Sequence, residues 1–419
     1  MNSKNQIHLV MGVSSAGKST YIESRMKNGE WNDIPVRFPV ELNHPLRGYL
    51  LNQNCIIHYN LYRPYNNNVD HLVDDFMVDP ALVKILNYRE RIRAYILVAP
   101  RSELVKRCLL RTTIEPTFRK NLTHRYSPKI ILDLLCRLNL TDFYKKWFLL
   151  LRQYEITFEI INSADNYLPI SSISEALDLL SLEQPTHYSQ QELDYIVDNN
   201  MFGHQKIEVY PNKFTPGQDR SANLIVLDQD LTGKSVLDIG CAYGYFCFEA
   251  EKRNASRVVG TEVKRHRFRG CNILKEILGK SSVFLEQDIF TDPLNEKFDI
   301  VLLLNVIHQL KEPIKALRTI SQLCNEKLII EFPTLSDQRF KSTISSSIIS
   351  GLQNLLDRDR SDSSLPLIGV SLNSTKDQTF LFSKEALKRI LVEHDNLFKE
   401  IEFKQSKISP ESTIAICYK

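Results

Sequence analysis

Val236-Leu237-Asp238-Ile239-Gly240-Cys241-Ala242-Tyr243-Gly244 decides the fold of the second half of this chain. Val236–Ile239 has the length and apolar character of a buried strand, and a glycine turn follows at once. Glycines here let the backbone turn sharply and come close to a bound ligand. Working outward, Ser235–Ile239, Val258–Glu262, Val283–Gln287, Phe298–Leu304 and Lys327–Phe332 read as strands with helices between them. That alternation predicts an α/β parallel sheet. Residues 335–378 are Ser- and Asp-rich and break the rhythm, which predicts an insertion or lid. Ser383–Glu393 returns to helix, and Ile401–Lys404 with Ser412–Tyr418 predicts a closing hairpin.

Spacing narrows the reading. Glu262 ends the second strand about 20 residues after the glycine loop, where an acid can hold ribose hydroxyls. Asp288 ends the third strand, and FDIVLLLNVIHQLKEP (298–313) and LIIEFP (328–333) follow. A dehydrogenase would use the same glycine loop but does not require this fourth-strand run. Over roughly residues 205–335 the order of elements resembles class I S-adenosylmethionine (SAM) methyltransferases, with Ala242 in place of their middle glycine. The resemblance implies a Rossmann-like domain that binds SAM through Asp238, Gly240, Gly244, Glu262, Asp288, Ile289 and Asn305. His308 is the best-placed titratable group for a general base, or else packs the cofactor pocket. More narrowly, FGHQKIEVYPNKFTPGQDRSANL (202–224) resembles methyltransferases related to the tRNA wobble-uridine modifiers, with similar sequences in glycan and small-molecule enzymes. In that group the segment closes over the cofactor, which makes Gln218 and Arg220 candidates. Lys264–Arg269 (KRHRFR) is either an anion-holding run or a solvated helix face.

The first half carries a second motif. Gly12-Val13-Ser14-Ser15-Ala16-Gly17-Lys18-Ser19 matches GxxxxGK[ST] between a strand (Ile7–Gly12) and a helix. Backbone N–H groups of Gly12, Ser14, Ser15, Ala16, Gly17 and Thr20 would cradle phosphates at a helix N-terminus. Lys18 would reach the β- and γ-phosphates of ATP, and Ser19 would hold Mg²⁺. The half resembles small-molecule and nucleotide kinases of the P-loop class through Ala94–Arg111, a strand and a helix with Arg107 and Arg111 one turn apart. That spacing puts both on one helix face, and the resemblance implies lid arginines over the phosphates. No Walker B aspartate ends an apolar strand; Cys55–Tyr59 carries His58 instead. Glu41 is the first candidate for the missing carboxylate and Asp70 the next.

Composition bounds the rest. The chain has 419 residues, 43% hydrophobic and 25% charged, ordinary for folded protein and long enough for two domains. We place them at 1–184, a P-loop NTPase-type three-layer α/β/α domain, and 185–419, with the polar stretch near 181–189 between. Net charge is +3, too small by itself to imply a polyanion partner, while 23 basic against 19 acidic residues over 1–185 mildly supports anionic ligands in the first half. None of the eight cysteines forms a CxxC pair, so a zinc or disulfide framework is not expected. No stretch approaches the ~18 apolar residues that span a bilayer, and a cytoplasmic location follows by default.

The expectation is a bifunctional enzyme: ATP-dependent phosphorylation of a hydroxyl, then SAM-dependent methylation of the same substrate or its phosphate. The domain combination is similar to kinase–methyltransferases that cap bacterial polysaccharides, which favours a sugar, glycan end or small metabolite. The alternatives are a tRNA or DNA kinase/methyltransferase and a regulatory ATP/SAM-binding protein without catalysis. Oligomeric state is not legible.

Overall fold

The structure, a computed structural model, describes residues 6–36, 48–61, 79–114, 128–181, 187–199, 202–334, 366–372, 378–409 and 412–419. The chain divides into two compact units, Met1–Ile196 and Val197–Lys419. The division falls inside a helix, later than the polar stretch near 181–189, of which 182–186 lie outside the described residues.

The first unit contains β1 (Ile7–Gly12), α1 (Lys18–Lys27), β2 (Ile34–Val36), β3 (Cys55–Asn60), α2 (Pro80–Leu86) and β4 (Ile92–Val98). It continues with α3 (Arg101–Ile114), α4 (Pro128–Arg137), α5 (Leu140–Gln153), β5 (Thr157–Asn162), β6 (Leu168–Ile170) and α6 (Ile173–Ser181). Its sheet runs β2-β3-β1-β4-β5-β6, parallel except for β6. All six β1 residues are buried, as a central parallel strand covered on both faces requires. The helical reading of Ile130–Leu151 resolves into two helices. Leu138 and Asn139 interrupt it, and Asn139 Oδ1 caps α5 by accepting from the Asp142 N–H at 3.1 Å.

The second unit follows α7 (Gln190–Asn199), which spans the division. A two-stranded strap, β7 (Glu208–Tyr210) and β8 (Lys213–Phe214), leads to β9 (Ser235–Ile239), α8 (Tyr245–Lys252), β10 (Arg257–Thr261) and α9 (Arg265–Ile277). Next come β11 (Val283–Leu285), β12 (Phe298–Leu304), α10 (Pro313–Leu323) and β13 (Cys324–Pro333). The hairpin β14 (Ile368–Leu372) and β15 (Gln378–Phe382), α11 (Lys384–Lys388), β16 (Glu400–Gln405) and β17 (Ser412–Tyr418) complete it. The sheet order is β11-β10-β9-β12-β13-β17-β16, with β9–β13 parallel and the last two strands antiparallel. Most of the expected insertion, 335–365 and 373–377, lies outside the described residues. The helix read over Ser383–Glu393 widens after Lys388 into a π-helical turn, Arg389–His394. One core, including Leu237, Val301, Leu328, Phe332, Phe382 and Ala415, ties the parallel strands to the closing hairpin.

Candidate functional site

In the second unit the strand order reverses between β9 and β12, and open α/β sheets bind ligands at the carboxyl ends of strands at such a point. The glycine loop sits there. Gly244 adopts φ +87°, and a Cβ on it would lie 2.7 Å from the Phe284 ring, so no larger residue fits. Gly240 and Cys241 donate their N–H groups to Thr261 O at 2.8 and 3.0 Å, which ties the loop to β10.

Two acids stand at the strand ends. Asp238 is 2% exposed and Glu262 4%. Burial raises both carboxyls above the ordinary range, Asp238 well above it. Within the protein, Asp238 Oδ2 meets Cys247 Sγ at 3.8 Å. Glu262 Oε1 accepts from the Lys264 N–H at 2.8 Å, and its other oxygen lies 3.7 Å from Arg267. Among the described residues the hydrogen-bond partner of buried Asp238 is the weak Cys247 thiol, so the carboxyl fits a ligand that brings its own donors, such as a hydroxyl or an ammonium. Asp288 lies exposed and caps a turn, accepting from the Phe290 N–H at 3.0 Å. Ile289 is buried as a whole residue, 2% exposed, and belongs to the core.

Asn305 has a left-handed backbone, φ +58°, just past β12. Its amide is committed to a buried network: Nδ2 donates to Glu331 Oε2 at 2.5 Å, and its N–H to Glu331 O at 2.8 Å. Glu331 Oε1 accepts in turn from Asn223 Nδ2 and Ser406 Oγ, both at 2.7 Å. Glu331 escaped the sequence reading because a glutamate inside LIIEFP looks like a strand's solvent-side residue, yet it is 1% exposed. His308 lies in a short 3₁₀ turn (Ile307–Gln309), half-buried, with Nε2 3.3 Å from Gln309 Nε2.

The strap reaches the glycine loop through a residue the sequence did not single out. Gln205, 6% exposed, accepts at Oε1 from the Tyr243 and Tyr245 N–H groups at 3.0 and 3.2 Å. Gln218 contributes backbone instead: its N–H donates to His204 O, and its carbonyl accepts from Lys206 N. Burial, then Arg267, Arg220 and Lys264, hold the His204 imidazolium down to about 4, so cations gather on this side of the loop. Part of the basic run is spent internally. Arg265 pairs with Glu286 at 3.0 Å and Arg267 with Glu262, while Lys264 and His266 are exposed.

In the first unit, Gly12–Gly17 wraps the N-terminus of α1. Lys18, 3% exposed, folds back and donates to Gly12 O and Val13 O at 2.9 and 2.8 Å. Ser14 and Ser15 are buried, and Ser15 (φ +70°) leaves Oγ without a hydrogen-bond partner among the described residues. Ala16 closes the turn onto Val13 O at 3.2 Å, Gly17 takes φ +83°, and Ser19 and Thr20 are exposed. Arg107 lies across the loop: it donates to Glu103 Oε1 (2.6 Å), Ser163 O (2.6 Å), Ser163 Oγ (3.1 Å) and Ser15 O (3.4 Å). Ser19 Oγ stands 3.4 Å from His58 Nε2 on β3. Glu41, Asp70 and the Arg111 side chain lie outside the described residues. Among the described residues no cluster of three or more His, Cys, Asp or Glu could hold a metal ion, and no helix is long and apolar enough to cross a membrane.

This sheet order, with a glycine loop at the reversal and a buried acid ending the next strand, defines a class I SAM-dependent methyltransferase domain in the second unit. Residues 219–396 match the family model Methyltransf_23, described as a methyltransferase domain. The chain is similar to tRNA U34 carboxymethyltransferases: that of Campylobacter hominis is 26% identical over 32% of this chain and 53% of its own. That of Desulfotalea psychrophila is 34% identical over 22% and 29%. The chain thus spans about half the length, or less, of the curated relatives it matches. Among solved structures, the N-terminal domain of EvdMO1 with SAH aligns at TM-score 0.38 and 14% identity over 55% of this chain and 97% of that one. Magnesium protoporphyrin IX methyltransferase from Synechocystis PCC 6803 aligns at TM-score 0.33 and 17% identity over 48% and 78%.

Proposed function

We propose that the second unit transfers the SAM methyl, or a group carried on the same sulfonium, to a nucleic-acid acceptor. One observation carries this reading over a sugar or small metabolite: the similarity to tRNA U34 carboxymethyltransferases. The cations around His204, in the strap and the start of α9, suit a phosphodiester beside the cofactor. Asp238, Glu262 and Asp288 would hold the cofactor, and Gly240 and Gly244 would admit it closely. Asn305 would contribute through its loop, since its amide is held by Glu331. Transfer needs in-line alignment at the sulfonium methyl, which a rigid loop supplies, and His308 is the group available for an acceptor proton. The test is label transfer from methyl-labelled SAM to total tRNA, DNA, a glycan panel and a metabolite panel. Label in the glycan or metabolite fraction alone would reject the nucleic-acid reading.

A second reading concerns the first unit. The inward-folded Lys18, the buried Ser15 hydroxyl, unpartnered among the described residues, and Arg107 across the loop favour a nucleoside triphosphate with its phosphates on Gly12–Thr20. Phosphoryl transfer to the acceptor before methylation is the ordered form of that reading. Equal methylation with and without ATP, on an unphosphorylated acceptor, would reject the order. Nucleotide binding that leaves methylation untouched and transfers no phosphate would fit the regulatory alternative.

A further inference from the structure

We infer that Asn305 accepts, at its side-chain oxygen, a hydrogen bond from the ammonium of the cofactor's amino-acid tail, and that Glu331 is the positioning residue that fixes the amide in that sense. This rests on the cofactor reading above.

The chain of partners leaves one orientation. The Lys407 backbone N–H donates to Asn223 Oδ1 at 3.1 Å. A backbone N–H only donates, so Asn223 must turn its Nδ2 the other way, where it donates to Glu331 Oε1 at 2.7 Å. Ser406 Oγ donates to the same oxygen at 2.7 Å. The second carboxylate oxygen also only accepts, so it takes Asn305 Nδ2 at 2.5 Å. The Glu331 backbone carbonyl accepts from the Asn305 N–H at 2.8 Å, which holds the left-handed turn of that residue. Glu331 thus takes only the nitrogen of the Asn305 amide. Oδ1 lies on the opposite edge of the planar group and has no hydrogen-bond partner among the described residues. Donation to a carboxylate polarises the amide and makes this oxygen a stronger acceptor. Glu331 is 1% exposed and has no ion pair among the described residues, so its charge favours a cation at the far edge of the amide.

Sheet order names the donor. Leu302 pairs with Asp238, so Asn305, three residues on, stands beside the glycine loop. Val306 packs on that loop: a Cβ on Gly240 would lie 2.7 Å from Val306 Cγ2. β10, which runs out at Glu262, flanks β9 on one side, and β12 flanks it on the other. With ribose hydroxyls on Glu262 and adenine beyond it at Asp288, the amino-acid tail is the part of the cofactor that extends over β12. The ammonium is the tail's one hydrogen-bond donor.

The experiment measures, by calorimetry on the whole chain, the affinity of S-adenosylhomocysteine (SAH), which carries the ammonium, and of 5′-methylthioadenosine, a thioether nucleoside without the tail. In Glu331→Gln the Asn223 and Ser406 donors keep the remaining oxygen, so the new amide nitrogen faces Asn305 and turns its amide over. An N–H then meets the ammonium, and SAH affinity should fall about thirtyfold, while 5′-methylthioadenosine changes by less than about twofold. Asn305→Gly suits the left-handed turn and should cost SAH only about fivefold. The double variant should bind SAH as Asn305→Gly does, because no amide remains to turn over. A glutamate with a merely structural role would give no such rescue, and both ligands would weaken together. Unchanged SAH affinity in Glu331→Gln, equal losses for the two ligands, or a double variant weaker than Glu331→Gln would overturn the proposal and leave the cofactor reading standing. A wild-type chain that binds neither ligand would overturn both. If Glu331→Gln fails to fold, Asn305→Gly decides: a loss confined to SAH is expected, and no loss or an equal one overturns the proposal.

Discussion

Asp238 is buried with a thiol as its partner and Glu262 is buried with a backbone N–H and Arg267 beside it, so a ligand that donates to them is held by more than contact area. Replacing either with Ala should weaken SAM binding by about 1–3 kcal/mol, the cost of deleting a buried acceptor. Calorimetry showing unchanged affinity in both variants would remove the cofactor assignment. His204 yields a prediction in pH. Its native pKa, about 4, lies below its unfolded value of 6.5, so between these limits the unfolded chain binds more protons. Its contribution to stability is complete above pH 6.5 and lost as pH falls toward 4. The difference in unfolding free energy between wild type and His204→Gln should therefore change over that interval and be flat above it. A constant difference across it would mean that the imidazole is not held neutral. The places of these acids at the strand ends were legible because their types and spacing follow the glycine loop in the sequence; that they hold the cofactor is the proposal. Glu331 and Gln205 were not, because nothing local distinguishes a glutamate or glutamine facing a loop from one facing solvent. Their roles depend on Asn305, Asn223 and Ser406, and on Tyr243 and Tyr245, which only the fold brings near.

At the scale of elements, α9 presses directly on the glycine loop. A Cβ on Gly270 would lie 2.5 Å from the Tyr243 ring, and Cys271 Sγ meets Ala242 O at 2.9 Å. Gly270→Ala must then push either the helix or the loop. Overpacking of this kind costs about 1–3 kcal/mol, and SAM affinity should fall with the thermal midpoint. A variant with a lowered midpoint and unaltered SAM affinity would show that the helix, not the loop, gives way. Strand alternation and turn residues were enough to place every strand of the second sheet to within a few residues. The break between α4 and α5 was missed: Asn139 lies inside an apolar periodicity that runs on unbroken on either side, and only its cap geometry marks the new helix start.

At the scale of the whole molecule, two sheets of separate strand order each carry a glycine-containing loop of their own. Lys18→Ala should abolish binding of nucleoside triphosphate and leave SAM affinity within about twofold, each read by calorimetry on the same sample. Loss of SAM binding in a folded Lys18→Ala chain would refute independent sites. The last strand of the second sheet has a further consequence. β17 lies between β13 and β16, so residues near 330, paired with β12 on one side, find their partners on the other side only near 415. While the ribosome is still adding residues before 412, the half-made sheet exposes the unpaired edge of β13, a strand buried on both faces in the finished unit. The glycine loop and its acids are translated more than 100 residues earlier, yet the sheet that holds them is complete only after synthesis has passed residue 418. The first unit, whose described strands are all in hand by residue 170, faces no such wait.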